Sequence, residues 1–101
     1  MANHMSRTRL DSAQITARLT GQTGWRVEGS ELVKTYKFKN FVEAVDFVNA
    51  IAKLAEALNH HPDLLVKWGE VAVRITTHSA CGLTEKDFAL ASSIDTQGQA
   101  R

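Results

Sequence analysis

Three histidines in the second half of the chain are the side chains best suited to chemistry. His60 and His61 are adjacent and precede Pro62, and His78 follows a later apolar run. An imidazole changes its charge near neutral pH, so one ring can give a proton while another takes one. Glu56 precedes His60 by four positions, a spacing that brings two side chains onto one helix face. The pattern therefore predicts a proton-transfer site in which Glu56 orients or charges His60.

A zinc site is the alternative for the same side chains. Histidine and cysteine are both zinc ligands, and Cys81 lies near His78 in the sequence. Consecutive histidines usually point apart, however, and the usual paired-ligand spacings of zinc sites are absent. Acid-base chemistry without a metal is therefore the favoured interpretation.

The paired histidines follow the clearest helix in the sequence. Asn40 is a good N-cap, and apolar residues recur at intervals of three and four positions from Phe41 to Leu58. Pro62 disfavours helical geometry at the preceding residue, so the helix is expected to end near Asn59 or His60.

A predicted hairpin and a last helix surround His78. The strand-like runs 64–68 and 71–77 are separated by Gly69-Glu70, a candidate tight turn. His78 has the parity of the polar positions in the second run and should emerge away from the apolar face. Thr84, with Asp87 three positions later, predicts a capped helix that runs to about Ile94.

The remaining pattern completes an α+β fold. A short helix is predicted over residues 11–19, and an antiparallel hairpin between residues 24 and 38. The order α-β-β-α-β-β-α implies a four-stranded antiparallel sheet with three helices packed on one face. We expect a single domain at residues 9–96, a flexible N-terminus at 1–8 and a flexible C-terminus at 97–101, with disorder beginning near Asp95.

Composition excludes several classes of protein. The chain has 101 residues and a formal charge of +1, so no strong field favours nucleic acid. Cys81 is the only cysteine, which excludes an internal disulfide. No apolar run approaches the roughly 20 residues of a membrane span. A cytoplasmic protein is expected, and one so small would gain stability from forming a homo-oligomer.

A spaced set of residues resembles a known family. Glu56-Ala-Leu-Asn-His-His-Pro62 is followed by Trp68, His78 and Asp87 at spacings similar to those of the pterin-4a-carbinolamine dehydratases. The resemblance extends over roughly residues 25–94 and includes Gly24-Trp25, residues 38–41 and residues 82–87.

The resemblance implies a fold, an activity and partners. The family has three helices against a four-stranded antiparallel sheet and forms a dimer of dimers, so a homodimer or homotetramer is expected. Its members remove water from 4a-hydroxytetrahydropterin, which aromatic amino-acid hydroxylases release, to give quinonoid dihydropterin. This step belongs to tetrahydrobiopterin recycling. The pterin is the substrate, and no metal or other cofactor is implied. Animal relatives also help a transcription factor to dimerise, so a non-catalytic binding or dimerisation module is the alternative function.

The resemblance also assigns roles to residues. It gives acid and base work to His60 and His78, and gripping of the pterin to His61. Supporting roles fall on Glu56 beside His60, on Thr76 and Thr77 at the entrance, and on Trp25 beside the ring. Asp87 is explained equally well as a helix cap or as a site residue, and Trp68 is expected to pack on the sheet.

Two positions depart from the family pattern. Asn59 stands where aspartate is frequent, which removes a charge beside the imidazoles. Leu64 stands where many members have tryptophan, so one aromatic wall of the pocket is expected to be missing.

Overall fold

The computed structural model of the protein describes residues 8–99 and confirms the predicted order of elements. The elements are α1 (Ser12–Leu19), β1 (Arg26–Glu28), β2 (Glu31–Lys37), α2 (Phe41–Leu58), β3 (Asp63–Lys67), β4 (Glu70–Ile75), a short 3-10 helix (His78–Ala80) and α3 (Glu85–Gln99). No helix within these residues is both long enough and apolar enough to cross a membrane. Most of the two termini that we predicted to be flexible lies outside the described residues.

The four strands form one antiparallel sheet in the order β1-β2-β4-β3. β2 and β4 pair at its centre, with Leu32 opposite Ile75 and Lys37 opposite Glu70. This register brings the end of β4, where the chain continues to His78, beside the turn between β1 and β2. The sheet therefore fixes the position of the last histidine relative to the first hairpin.

The core lies between one face of the sheet and the helices. Along β4, Val71, Val73 and Ile75 are fully buried, whereas the residues between them are only partly buried. This alternation confirms that the polar parity of β4 faces away from the core. β2 adds the fully buried Leu32, and the helices contribute further fully buried apolar side chains, which include Ala44, Phe47, Ile51, Leu90, Ala91 and Ile94. The predicted α+β arrangement, with three helices on one face of the sheet, is confirmed.

The last helix is longer than predicted. α3 continues to Gln99 instead of ending near Ile94. Asp95, which we expected to begin a disordered end, accepts hydrogen bonds from Trp25 Nε1 at 2.9 Å, from Lys34 Nζ at 2.7 Å and from the Tyr36 hydroxyl. These bonds tie the last turns of the helix to the first hairpin, which explains why the polar composition of the segment misled the prediction.

The turn of the second hairpin was also misplaced. Lys67 pairs with Glu70, so the turn consists of Trp68 and Gly69 and not of Gly69 and Glu70. Trp68 is 69% exposed, so the expectation that it packs on the sheet was wrong. Glu70 pairs with Lys37 of β2 and therefore begins β4. Lys67 pairs with the same residue from β3, so Trp68 is left in the turn between the two strands.

Candidate active site

The end of α2 determines where the paired histidines go. Its C-cap, Asn59, has a left-handed conformation (φ 51°, ψ 45°), and its backbone N–H bonds back to Ala55 and Glu56. The N–H of His60 also donates to the carbonyl of Ala55, at 3.0 Å. This reversal ends the helix before Pro62 and sends His60 out of the helical path.

His60 meets Asp87 and not Glu56. Its Nε2 lies 2.7 Å from Oδ1 of Asp87, and the two side chains are 10% and 0% exposed. The prediction that Glu56 holds His60 was therefore wrong. It assumed that the helix continues through His60, whereas the left-handed residue before it turns the imidazole toward the start of α3.

Asp87 accepts from two further donors, both at its second oxygen. The backbone N–H of Thr84 and the hydroxyl of Thr77 each donate to Oδ2 at 2.7 Å. The hydroxyl of Thr84 accepts in return from the N–H of Lys86, at 3.2 Å, so the predicted capping of α3 is present. Asp87 thus serves both as a helix cap and as the partner of a site histidine.

The hydrogen bond to Asp87 determines which nitrogen of the His60 ring carries a proton. A carboxylate only accepts hydrogen bonds, so Nε2 of His60 carries the proton that is donated to Asp87. In the neutral form of this ring the lone pair is then on Nδ1, for which no hydrogen bond to a protein group is described within residues 8–99. Asp87 therefore fixes a proton of His60 on Nε2.

The other two histidines are more exposed. Nε2 of His61 lies 2.6 Å from Oε2 of Glu56, and the two side chains are 56% and 78% exposed. His78 begins the 3-10 helix after β4, and its carbonyl accepts from the N–H of Cys81 at 3.1 Å. The Thr77 N–H bonds to the Gly82 carbonyl at 3.1 Å, which fixes the loop that carries His78.

All three histidines line one pocket, which has a volume of about 330 Å³. Its lining consists of Asn59, His60, His61, Thr76, Thr77, His78, Ser79 and Lys86. The two threonines expected at the entrance are therefore in the lining. The pocket is polar and carries donors and acceptors on several sides, so it can exchange protons with a bound ring.

Two lining residues were missed by the sequence reasoning, Ser79 and Lys86. Both adjoin residues that we did select, since Ser79 follows His78 and Lys86 precedes Asp87 in the first turn of α3. The signal for Lys86 was the capping pattern itself, which placed the start of α3 near the histidines without showing which further side chain turns toward them.

Trp25 is not part of this pocket. The indole is 6% exposed and belongs to the hydrophobic core, and its Nε1 is engaged by Asp95 on α3. The expectation that it packs beside a bound ring was therefore wrong. As a large apolar residue at the start of a strand, it fills the space between the first hairpin and α3.

The zinc alternative lacks a cluster of ligands. Within residues 8–99, no three side chains of histidine, cysteine, aspartate or glutamate lie together in a way that could hold a metal ion. His60 and His61 are instead directed to separate carboxylates, those of Asp87 and Glu56.

The chain matches a known protein family over almost its whole length. The profile of the family described as Pterin 4 alpha carbinolamine dehydratase matches residues 8–97. The chain belongs to this family. The histidine pocket lies entirely within the matched residues.

Individual members of the dehydratase family are similar over most of their length. A protein of Roseiflexus sp. (strain RS-1) is 49% identical over 88 residues, which are 87% of this chain and 95% of that protein. A protein of Sulfolobus acidocaldarius is 47% identical over 87 residues, which are 86% of this chain and 96% of that protein. Both carry the name pterin-4-alpha-carbinolamine dehydratase as a provisional assignment.

Solved structures share the dehydratase fold. The crystal structure of a transcriptional coactivator/pterin dehydratase from Brucella melitensis superposes with a TM-score of 0.86 at 32% identity, covering 90% of this chain and 99% of that one. A pterin dehydratase-like protein described as a RuBisCO assembly factor in the alpha-carboxysome has a TM-score of 0.60 at 20% identity, covering 73% and 86% of the two chains. The second likeness concerns the fold alone.

The two departures from the dehydratase pattern now have structural explanations. Asn59 occupies the left-handed cap of α2, a conformation that asparagine adopts more readily than most residues. Leu64 lies opposite the fully buried Val73 and packs against the core. Leu64 does not line the pocket, and the expectation that one aromatic wall is missing stays a prediction.

Proposed function

We propose that this protein dehydrates 4a-hydroxytetrahydropterin to quinonoid dihydropterin. The observation that carries the proposal is the pocket in which three histidines meet, one of them fixed by a fully buried carboxylate. Membership of the dehydratase family supports the substrate class. In this role the protein acts in the cytoplasm, in pterin recycling beside an aromatic amino-acid hydroxylase that releases the hydroxylated pterin.

The reaction needs one proton acceptor and one proton donor. The N5–H bond of the pterin breaks and its electron pair forms the new C=N bond to C4a. The C4a–O bond breaks at the same time, and the departing hydroxyl takes a proton and leaves as water. No electron is gained or lost overall, so we propose that the reaction uses no redox cofactor. Because histidines can supply both the proton donor and the proton acceptor, we also propose that it uses no metal.

His60 suits the role of base in this scheme. Its Nε2 proton is held by Asp87, which leaves the Nδ1 lone pair to take the proton from N5. The imidazolium that forms then lies 2.7 Å from the carboxylate of Asp87, which stabilises the new positive charge. The charge therefore develops where a counter-charge is already in place.

His78 suits the role of acid. It is exposed at the rim of the pocket, and no carboxylate within residues 8–99 holds its ring in one tautomer. It can therefore protonate the departing hydroxyl and exchange that proton again with water. His61, which is paired with the exposed Glu56, is left to grip the pterin ring.

Histidine variants test these roles. We expect His60→Ala and His78→Ala each to lower kcat by at least about 100-fold, since each removes one half of the acid-base pair. His61→Ala is the matched comparison and should raise KM more than it lowers kcat. Unchanged kcat in both His60→Ala and His78→Ala would refute the assignment of roles. Metal analysis of chelator-treated protein that remains folded and active would exclude the zinc alternative.

We also propose that the chain forms a homodimer or homotetramer. Among residues 8–99, four large apolar side chains are exposed: Phe41, Val42, Leu65 and Trp68. The outer strand β3 also presents backbone groups without a strand partner on one side, since the sheet ends there. Light scattering on the eluting protein would measure its mass, and a monomer at micromolar concentration would contradict the proposal.

A non-catalytic binding module is the second candidate function. The exposed apolar side chains and the description of the Brucella melitensis protein as a coactivator favour it. The two functions are separated by turnover. Purified protein that does not accelerate the dehydration would favour the binding module, because that role does not require the histidine pocket.

A further inference from the structure

Two threonine hydroxyls lie behind the carboxylate that holds His60. Thr77 immediately precedes the 3-10 helix, and Thr84 immediately precedes α3. Their Oγ1 atoms are 2.9 Å apart, and Oγ1 of Thr77 is also 2.7 Å from Oδ2 of Asp87. Thr84 and Asp87 are fully buried, and Thr77 is 5% exposed. Water therefore has little access to these hydrogen bonds.

The direction of each bond in this cluster follows from the number of protons available. A hydroxyl has a single proton to donate, and a carboxylate only accepts. Thr77 therefore gives its proton to Asp87 and accepts in its contact with Thr84. The proton of the Thr84 hydroxyl is given to Thr77, while its oxygen accepts from the backbone N–H of Lys86 at 3.2 Å. The bonds thus run in one direction, from the first turn of α3 through the two hydroxyls to the carboxylate.

Thr77 belongs to the supports of both proposed acid-base histidines. Its hydroxyl holds the carboxylate of Asp87, whose other oxygen lies 2.7 Å from Nε2 of His60. Its backbone N–H donates to the carbonyl of Gly82 at 3.1 Å, and the next residue along the chain is His78. A displacement of Thr77 would therefore change the position of one histidine relative to the other.

Removal of the Thr77 hydroxyl disturbs a fully paired cluster. Within residues 8–99, no buried side-chain nitrogen or oxygen lacks a hydrogen-bond partner. Without this hydroxyl, Oδ2 of Asp87 keeps only the backbone donor of Thr84, and the hydroxyl of Thr84 loses its acceptor. Loss of one member weakens the other bonds of a buried network. The carboxylate would then be held less firmly in the orientation that His60 requires.

We propose that Thr77 and Thr84 are positioning residues of the active site, whose hydroxyls orient Asp87 so that it holds His60 with a proton on Nε2. This inference rests on the proposed function, in which His60 takes the proton from N5 of the pterin. Neither hydroxyl takes part in the proton transfer. Both act through the carboxylate, so their loss lowers the rate without removing a group that reacts.

Substitution of Thr77 tests the inference by its effect on turnover. Thr77→Val keeps the shape of the side chain but removes the hydroxyl, so kcat should fall about tenfold or more, as expected for the loss of one hydrogen bond to a charged group. Thr77→Ser restores the hydroxyl and should recover most of this loss. Thr96→Val is the matched control, since the Thr96 hydroxyl bonds to the carbonyl of Ser92 away from the pocket, and it should leave kcat unchanged. A kcat of folded Thr77→Val within threefold of the parent, or no recovery in Thr77→Ser, would overturn the inference.

Proton–nitrogen NMR of the imidazole rings tests the orientation of His60 without substrate. A ring N–H that is bonded to a buried carboxylate exchanges slowly with water, because the site must open before exchange occurs. The parent should therefore show a proton resonance of His60 Nε2, assigned by its absence in His60→Ala. This resonance should persist in Thr77→Ser and exchange faster with water in Thr77→Val. Its absence from the parent, or the same exchange rate in Thr77→Val as in the parent, would contradict the proposed orientation.

Thr84→Val covers the case in which Thr77→Val does not fold, as judged by circular dichroism. It removes the donor to Thr77 and leaves the bonds of Asp87 in place, so kcat should fall about threefold or more, and Thr84→Ser should recover this loss. The same kcat in folded Thr84→Val and in the parent would overturn the inference. The proposed function fails separately: if the exchange of the His60 proton depends on Thr77 as expected but no dehydration occurs, the dehydratase role is refuted and the orienting role of the hydroxyls remains.

Discussion

Replacement of Asp87 by asparagine separates the orientation of His60 from its presence. The substitution keeps the shape of a side chain that is fully buried. In the parent protein, Asp87 accepts from three donors: Thr84 N–H, the Thr77 hydroxyl and His60 Nε2. An amide has one accepting oxygen and one donating nitrogen, so it cannot serve all three donors.

The cost follows from the orientation in which the amide oxygen keeps the two donors Thr84 and Thr77. If its oxygen stays on Thr84 and Thr77, its nitrogen faces His60 Nε2, and the ring must move its proton to Nδ1, which can then no longer act as base. Restoring the reactive tautomer would place two donors face to face in a buried site. Each unmade buried hydrogen bond costs about 1–3 kcal/mol. Two such losses, about 2–6 kcal/mol together, correspond to a loss in kcat of about 30-fold to 25,000-fold.

The assay is the absorbance change as 4a-hydroxytetrahydropterin is dehydrated, with kcat and KM determined separately. Asp95→Asn is the matched control, since Asp95 is another carboxylate on α3 that accepts several bonds, from Trp25, Lys34 and Tyr36, away from the pocket. It should lower the melting temperature while kcat stays within about threefold. Folded Asp87→Asn protein with a kcat within threefold of the parent would refute the role of Asp87 in orienting His60.

Three further predictions concern neighbouring residues. Lys86→Gln removes a positive charge from the pocket lining and should raise KM about fivefold with little change in kcat, whereas Lys86→Arg should not; steady-state kinetics with the same pterin would check this. A hydrogen bond from Arg18 lowers the pKa of Glu85, so this pair stabilises the fold above the ordinary carboxylate value of 4.5 and loses its effect as the pH falls through the lowered pKa. Glu85→Gln should therefore lower the free energy of unfolding, measured with urea at pH 7, by about 0.5–1 kcal/mol. The difference in free energy of unfolding between variant and parent should become smaller as the pH is lowered, and a difference independent of pH would contradict this prediction. Asn59→Ala should lower the free energy of unfolding by about 1 kcal/mol because alanine is strained in the left-handed conformation of this cap, whereas Asn59→Gly should not lower it. Equal melting temperatures for the two variants would contradict this prediction.

The sequence pattern predicted the helices and strands well because the periodicity of buried side chains within each element determines its type. The three- and four-residue spacing in α2 and the alternation in β4 each follow from which side chains must be buried. The end of α3 was missed because its last turns are tied down by contacts of Asp95 with the distant first hairpin. The turn at Trp68 was missed because pairing with β2 decides its register.

The sequence predicted which histidines lie in the site better than it predicted which side chains they contact. The three histidines share a pocket, as the spaced motif suggested, but the partner of His60 is Asp87 and not Glu56. Residues four positions apart share a helix face only while the helix continues. The left-handed Asn59 ends α2 immediately before His60, so His60 does not lie on the helix face of Glu56. Contacts between the end of α2 and the start of α3 depend on the tertiary fold, so no spacing along the chain reveals them.

The most direct test of the account is the rate at which 4a-hydroxytetrahydropterin disappears with and without the purified protein. We predict a saturable acceleration over the spontaneous reaction, and a decrease of this acceleration by at least about 100-fold when both His60 and His78 are replaced by alanine in protein that remains folded. No acceleration by the parent protein, or the same acceleration by the doubly substituted protein, would contradict the claim that the histidine pocket is the active site of a pterin dehydratase.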